Sequence, residues 1–395
     1  MLRTGFFLFL FLMAFQVKAQ ANGGDSTKYL LLDFALQLEI TDAVDEMYNF
    51  NFHKAEVEFN WIKYNHPEHP LPYFLYGIST WWQMLPNLEK ESPLGEEFLA
   101  YMDTTVTKAR AMLKQDDENI EAAFFLAGAY GFKGRYLSEK KSWGKAANAG
   151  RLALKYLKRI KGNESFSPEI LFGDALFNYY SIWIRENYPS LKPILFFFPK
   201  GDKELGIKQL EEVATNAFYT RVEAIHFLMR IKAFEQKKTR EAMRLAERMR
   251  AKYPNNPYFH RFYTRMLYNL GRFKENEEES LEILRLKEEG VFGYGEANAR
   301  YATFFLGYAN KRRGNWEKAE EYYLQSMDYA RELDLEDSGY NIFAAMQLAE
   351  HYVSGKKYDA ADPLLEMVRK NTKRKNANNK KAKKLQKEIK RNRRG

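Results

Sequence analysis

Tyr301–Met327 reads YATFFLGYANKRRGNWEKAEEYYLQSM, and two stretches of helical period meet in it at a glycine turn. The first stretch carries the Leu306-Gly307 pair, the turn is Gly314-x-Trp316, and the second stretch carries Ala319, Tyr323 and the small Ser326. Gly307 and Ala319 would let two antiparallel helices approach closely, with Trp316 and Tyr323 filling the space beside them. Gly314 would supply the left-handed backbone that ends the first helix.

The arrangement recurs outward from this stretch. At an offset of about 42 residues Leu306 pairs with Leu348, Gly307 with Ala349, Trp316 with Tyr358, Ala319 with Ala361 and Glu320 with Asp362. Towards the N-terminus, Phe52-x-x-Ala55-Glu56 and Phe59 lead to Pro67, and Leu71–Trp82 follows with Gly77 at the close-approach position. Leu126-Ala127-x-x-Tyr130 repeats the pattern. There Gly134-x-Tyr136 is expected to close the helix, and the segment SEKKSWGKAANAG (138–150) to delay the next one. Ser167-Pro168-Glu169 opens a helix with a capping serine, a proline in the first turn and an acid at the positive helix end. Leu205–Ala214, Val222–Phe234, Thr239–Tyr253 and Tyr258–Leu270 read as further helices. Turns follow at Tyr253–Pro257 and at Gly271-x-Phe273.

These spacings resemble the tetratricopeptide repeat, whose helix–turn–helix pattern runs W-x2-L-G-x2-Y, then A-x3-F, then P. The resemblance covers roughly Asp42–Lys370 and is most specific in four or five repeats. It implies an all-α, right-handed α-solenoid of elongated repeats, in six or seven helix pairs. It also implies that the first helix of each repeat lines a concave groove that binds a protein or peptide. Carried onto matching positions, the groove residues are Phe74, Trp81 and Trp82 at the N-terminal end, then Arg261, Arg265 and Tyr268. Tyr301, Phe304, Tyr308, Lys311 and Arg312 complete the set. Arginine forks match carboxylates and rings add apolar contact, so the set suits a peptide. Two readings of each stay open, since a ring can be inter-repeat core and an arginine a solvated face.

Composition narrows the function classes. The 395 residues carry 16% aromatic residues and no cysteine, which removes disulfides, thiol nucleophiles and cysteine zinc sites. Six histidines are present, with no HExxH, phosphate-binding loop or nucleophile elbow. His66-Pro67-Glu68-His69-Pro70 imitates a metal motif, but the flanking prolines prevent helical presentation of the pair, and an inter-repeat turn is expected. Gly290-Val-Phe-Gly293-Tyr-Gly295 has no strand before it and reads as a loop. The expectation is a non-catalytic protein with no cofactor and no metal.

Residues 1–19 read as a secretory signal peptide: Arg3, the apolar Phe6–Phe15, and Val17-Lys18-Ala19 before Gln20. Cleavage near Ala19 and export to a periplasm or equivalent compartment are expected, with an uncleaved anchor as the alternative. The solenoid is assigned to 20–370. Pro189–Pro199 interrupts it, and its apolar Ile194–Phe198 is too short to cross a bilayer, so burial or a surface contact is expected. The net charge of +10 is concentrated at the end of the chain, where Arg369–Gly395 has 14 lysines and arginines against the single acid Glu388. The tail 371–395 is expected to be disordered or helical, with Leu385 and Ile389 on one face. Its charge suits anionic lipid or lipopolysaccharide phosphate; export disfavours nucleic acid. A solubilising role is the plain alternative. The partner's identity and the oligomeric state are not written in the sequence.

Overall fold

A computed structural model describes residues 29–88, 92–163, 166–192, 196 and 199–393. The leader 1–19, and Ile194–Phe198 apart from Phe196, lie outside the described residues. All regular structure in the described residues is helical. Helices α1–α6 are Phe34–Glu39, Thr41–Tyr48, Phe52–Asn65, Pro70–Met84, Leu94–Gln115 and Ile120–Glu139. Helices α7–α12 are Trp143–Ile160, Glu169–Asn187, Lys203–Asn216, Arg221–Arg230, Thr239–Lys252 and Pro257–Asn269. Helices α13–α18 are Phe273–Glu288, Glu296–Arg312, Trp316–Glu332, Gly339–Ser354, Tyr358–Lys370 and Ala377–Asn392. No described helix is long and apolar enough to cross a membrane.

Consecutive helices pack against each other in pairs, and a second row of contacts joins α2 to α4, α4 to α6, α6 to α8, α12 to α14, α14 to α16 and α16 to α18. The even helices therefore form an inner layer and the odd ones an outer layer, the architecture of an α-solenoid of tetratricopeptide-like pairs. From α4 to α17 the described residues contain seven such pairs. Inner helices start about 50 residues apart as far as Arg221 and about 40 apart thereafter, longer than the family's 34.

Residue type explains which layer each helix enters. Helix α4, PLPYFLYGISTWWQM, is apolar on all sides and is buried along nearly its whole length. Its start is set by Pro70 in the first turn and by His69, whose Nδ1 accepts from Leu71 N at 3.2 Å. The opening stretch forms α14 and α15. A Cβ on Gly307 would stand 2.7 Å from Tyr323 Cδ1, and Gly314 turns the chain at φ +78°. Ala319 and Tyr323 are fully buried in that contact.

Two local expectations are corrected. Helix α6 does not close at Gly134 but runs on to Glu139, and Lys141 (φ +56°) makes the turn. Gly134 serves instead to bring α6 near the Ala146 carbonyl and Ala149 of α7, so the supposed insertion is mostly the start of α7.

A larger feature has no counterpart in the repeat pattern. The N-terminal helices fold against α11 and α12, about 200 residues further along. Asn256 Nδ2 donates to Tyr48 O at 2.7 Å, Tyr253 Oη donates to Asp45 Oδ1 at 2.8 Å, and Lys252 Nζ pairs with Asp45 at 3.0 Å. Trp82 Nε1 donates to Glu223 Oε1 of α10 at 2.6 Å, and its rings pack on Tyr48, His226, Tyr258 and Phe259. Arg261 Nη1 donates to Pro86 O at 2.8 Å. The first turn of the solenoid is thereby closed, and one core cluster extends from Leu31 to Leu267. Three fully buried glutamates brace it. Glu169 accepts from Phe218 N, Tyr219 N and Thr220 N at 2.6, 2.9 and 2.9 Å, Glu121 accepts from Leu31 N at 2.5 Å, and Glu223 holds Trp82.

Beyond Gly295 the helices stack onward. Phe304 to Ile389 form a separate core cluster. The basic tail supplies the last helix, α18, which buries Ala382 and Ile389 and half-buries Leu385 against α16 and α17. Asn379 Nδ2 fastens it by donating to Arg369 O and Thr372 O, each at 3.0 Å.

Candidate functional site

The groove residues expected from the repeat pattern divide into two groups. Trp81 and Trp82 are 0% exposed, Phe74 4% and Phe304 3%. They are packing residues: Trp81 lies against Phe98 and Phe132, and Phe74 against Phe125. Closure of the first turn covers Trp82 with α10 and α12, while Trp81 and Phe74 are covered by the neighbouring α5 and α6, so the trio offers no open groove.

The second group is brought together on the inner layer. Arg261, Arg265 and Tyr268 of α12, Tyr301 and Tyr308 of α14 and Lys311 at its last turn are all half-exposed. Their spacings of three, four and seven residues put each set on one helix face. Arg265 lies with its guanidinium 4.1 Å from the Phe234 ring centre, 5.4 Å from Tyr340 and 5.8 Å from Tyr301. Arg261 sits over Tyr258 and Tyr301 at 5.7 and 5.6 Å. Tyr268 stacks on Phe305 at 4.8 Å and meets Tyr308 edge-on at 5.1 Å. Burial raises the Tyr268 and Tyr340 hydroxyls, so both stay neutral donors. The Arg265 Nε is buried with no hydrogen-bond acceptor among the described residues. Lys311 donates to Gln347 of α16. Arg312 is the outlier: exposed at the end of α14, it stacks on Phe273 of the outer layer at 4.0 Å. The outcome is a strip of rings and guanidinium groups crossing α12, α14 and α16.

The repeat pattern missed Tyr340, Phe343 and Gln347, which continue the strip on α16. Phe343 is half-exposed and stands at the same 42-residue offset from Tyr301, so the offset could have found it. It also missed a cavity of about 620 Å³ inside the closed turn, walled by α4, α6, α7, α8 and α10. Most of its lining is apolar, but Arg135, Glu139, Glu223 and Arg230 also face it. Glu223, His226 and Arg230 recur at helical spacing on α10, whose other residues after Arg221 are apolar, a polar stripe the sequence did display.

Charge in that wall is tightly managed. Arg135 is sandwiched between Trp81 and Phe227 at 4.5 and 4.8 Å and pairs with Glu223 Oε2 at 3.6 Å. Burial alone would raise the Glu223 carboxyl, but His226, Arg135 and the Trp82 indole hold it below its usual range. Burial pushes the His226 imidazole down to about 4, so it is neutral, and its Nε2 lies 3.0 Å from Tyr258 Oη. His69, from the apparent metal motif, faces Glu121 at 3.2 Å, and no cluster of three potential metal ligands occurs among the described residues.

Comparison with known proteins adds little to this geometry. No protein-family model matches the chain, and no curated protein matches its sequence. Among solved structures it is similar to the crystal structure of the P58(IPK) TPR domain, with 15% identity over 76% of this chain and 97% of that one and a TM-score of 0.18. The solenoid assignment rests on the helix pairing itself.

Proposed function

We propose that the chain is a non-catalytic interaction scaffold, exported by its leader, that grips a peptide or protein segment along the α12–α14–α16 strip. One observation carries the reading: Arg265 is held among the rings of Phe234, Tyr301 and Tyr340 while its Nε has no acceptor among the described residues. A guanidinium fixed among rings is preorganised for a carboxylate or backbone carbonyl, and such anchors dominate interface energetics. A partner captured by crosslinking in cells should bind the Arg265→Ala variant about tenfold to a hundredfold more weakly, the loss of one charge-assisted hydrogen bond. Titration calorimetry with unchanged circular dichroism measures it, and an unaltered affinity rejects the strip. Arg261→Ala is a poorer probe, because Arg261 also ties α12 to Pro86.

A second reading has its own observation. The outer faces of α18 expose Lys380, Lys383, Lys384, Lys387, Lys390 and Arg391, while its one apolar face is occupied. Such a helix suits an anionic membrane surface or lipopolysaccharide. Vesicle binding that vanishes at high salt and on removal of residues 377–395, with Arg265→Ala indifferent, would select it.

A further inference from the structure

We propose that the cavity inside the closed turn is a binding site for an amphiphile with one anionic head and an apolar body, seated with its head on Arg230. None of its lining residues belongs to the strip, so the site is independent of the partner surface.

The body of the ligand follows from the walls. Phe124, Phe172, Phe177, Trp183 and Leu176 give an aromatic and aliphatic lining, and about 620 Å³ lies within the range of pockets that enclose small molecules. An apolar space of that size, rimmed by protein on five helices, favours a molecule that brings its own apolar surface.

The head follows from the charges. Arg135 is neutralised by Glu223, which is itself fully buried. Arg230 is not so matched. It lies solvent-exposed at the end of α10 facing the cavity, the Tyr258 hydroxyl is its main electrostatic neighbour, and no carboxylate lies within ion-pair distance of it among the described residues. Tyr258 is already engaged with His226, and Glu139 acts on Arg230 only from a distance. Glu139 lines the same cavity and is exposed like Arg230, but it makes no ion pair with it, and the guanidinium of Arg135 adds a like charge behind Arg230. A guanidinium against an apolar wall with no carboxylate paired to it is stabilised by an anion that forks onto it. The Trp183 indole N–H, buried in the same wall without an acceptor among the described residues, marks the same surplus of donors over acceptors.

Dodecanoate, dodecanol and dodecylamine separate head from body. Calorimetry on the mature chain should show one dodecanoate per molecule, with dodecanol about tenfold to a hundredfold weaker and dodecylamine weaker still. Arg230→Gln should lower dodecanoate to the level of dodecanol and leave dodecanol unchanged. Gly131 supplies a second variant that does not depend on the charge. It lines the cavity, and a Cβ there meets nothing within 4 Å, so Gly131→Phe should fill the space and abolish both ligands without loss of fold. Equal binding of acid and alcohol by the wild type would overturn the anionic head. Dodecanoate binding that survives Gly131→Phe would place the ligand elsewhere and overturn the site, as would no binding at all.

Discussion

The closed first turn and the open C-terminal stack are built from the same helix pairs but held by different kinds of contact. Within 296–393 every helix touches its neighbours in the row, the core is small side chains against aromatics, and the described residues of this part contain no fully buried acid. Within 29–270, by contrast, Trp82, Asn256, Tyr253 and Arg261 join residues far apart in the chain, and Glu121, Glu169 and Glu223 are buried as braces. The difference teaches that a repeat pattern specifies pairs, while the shape of the array depends on what its first and later pairs do on meeting. A stack is a sum of neighbour terms. A closed turn is one cooperative unit.

The largest expected effect would break the closed turn. Trp82→Ala removes a fully buried ring that links α4 to α10 and α12, at a cost of about 3–5 kcal/mol. Hydrogen exchange should show α2 to α12 losing protection together; loss confined to α4 and α5 would mean that closure does not couple the pairs. Acid should sharpen the contrast. His226 binds its proton near 4 when folded and near 6.5 when unfolded, so the unfolded chain takes up protons first. Its contribution, on the order of 3 kcal/mol, is present above pH ~6.5 and lost as pH falls towards ~4. His260, lowered by burial, acts in the same direction, while Glu169, raised by burial, opposes it. Denaturant titrations from pH 7 to 4 should show the slope, and His226→Gln should flatten it; an unchanged slope would remove His226 from the account. The smallest effect belongs to the stack. Gly307→Leu forces bulk against Tyr323 for about 1–3 kcal/mol, loosening 296–393 while 29–270 keeps its protection. Loss in both regions would show the boundary to be absent.

What could be read from the sequence follows the same division. Gly307, Ala319 and Tyr323 are close in the chain and their sizes state their contact, so the stacked pairs were legible. So was the grouping of Arg265, Tyr268, Tyr301 and Tyr308, which depends only on helix phase. Trp81 and Trp82 occupy phase positions that face a groove in an open array; Trp81 is covered by Phe98 and Phe132 of the neighbouring helices, and Trp82 is buried because α10 and α12 return to cover it. Nothing within a repeat's length records that return. Its traces were the asparagines of Tyr253–Pro257, which looked like an ordinary turn, and the charged stripe on α10. The buried partners of Asn256 and Glu223 lie 208 and 141 residues away, beyond any local pattern. The cavity was hidden for the same reason, since its walls come from five helices.

Closure also constrains how this chain could lengthen or shorten over evolutionary time. A helix pair duplicated after Gly295 only adds another storey, with α18 moved outward to cover the new end. One inserted between α4 and α10 changes the circumference, parts Trp82 from Glu223 and Asn256 from Tyr48, and leaves both members of each pair buried and alone. Copies of this architecture should therefore differ in length at the C-terminal end and keep a constant number of pairs before it.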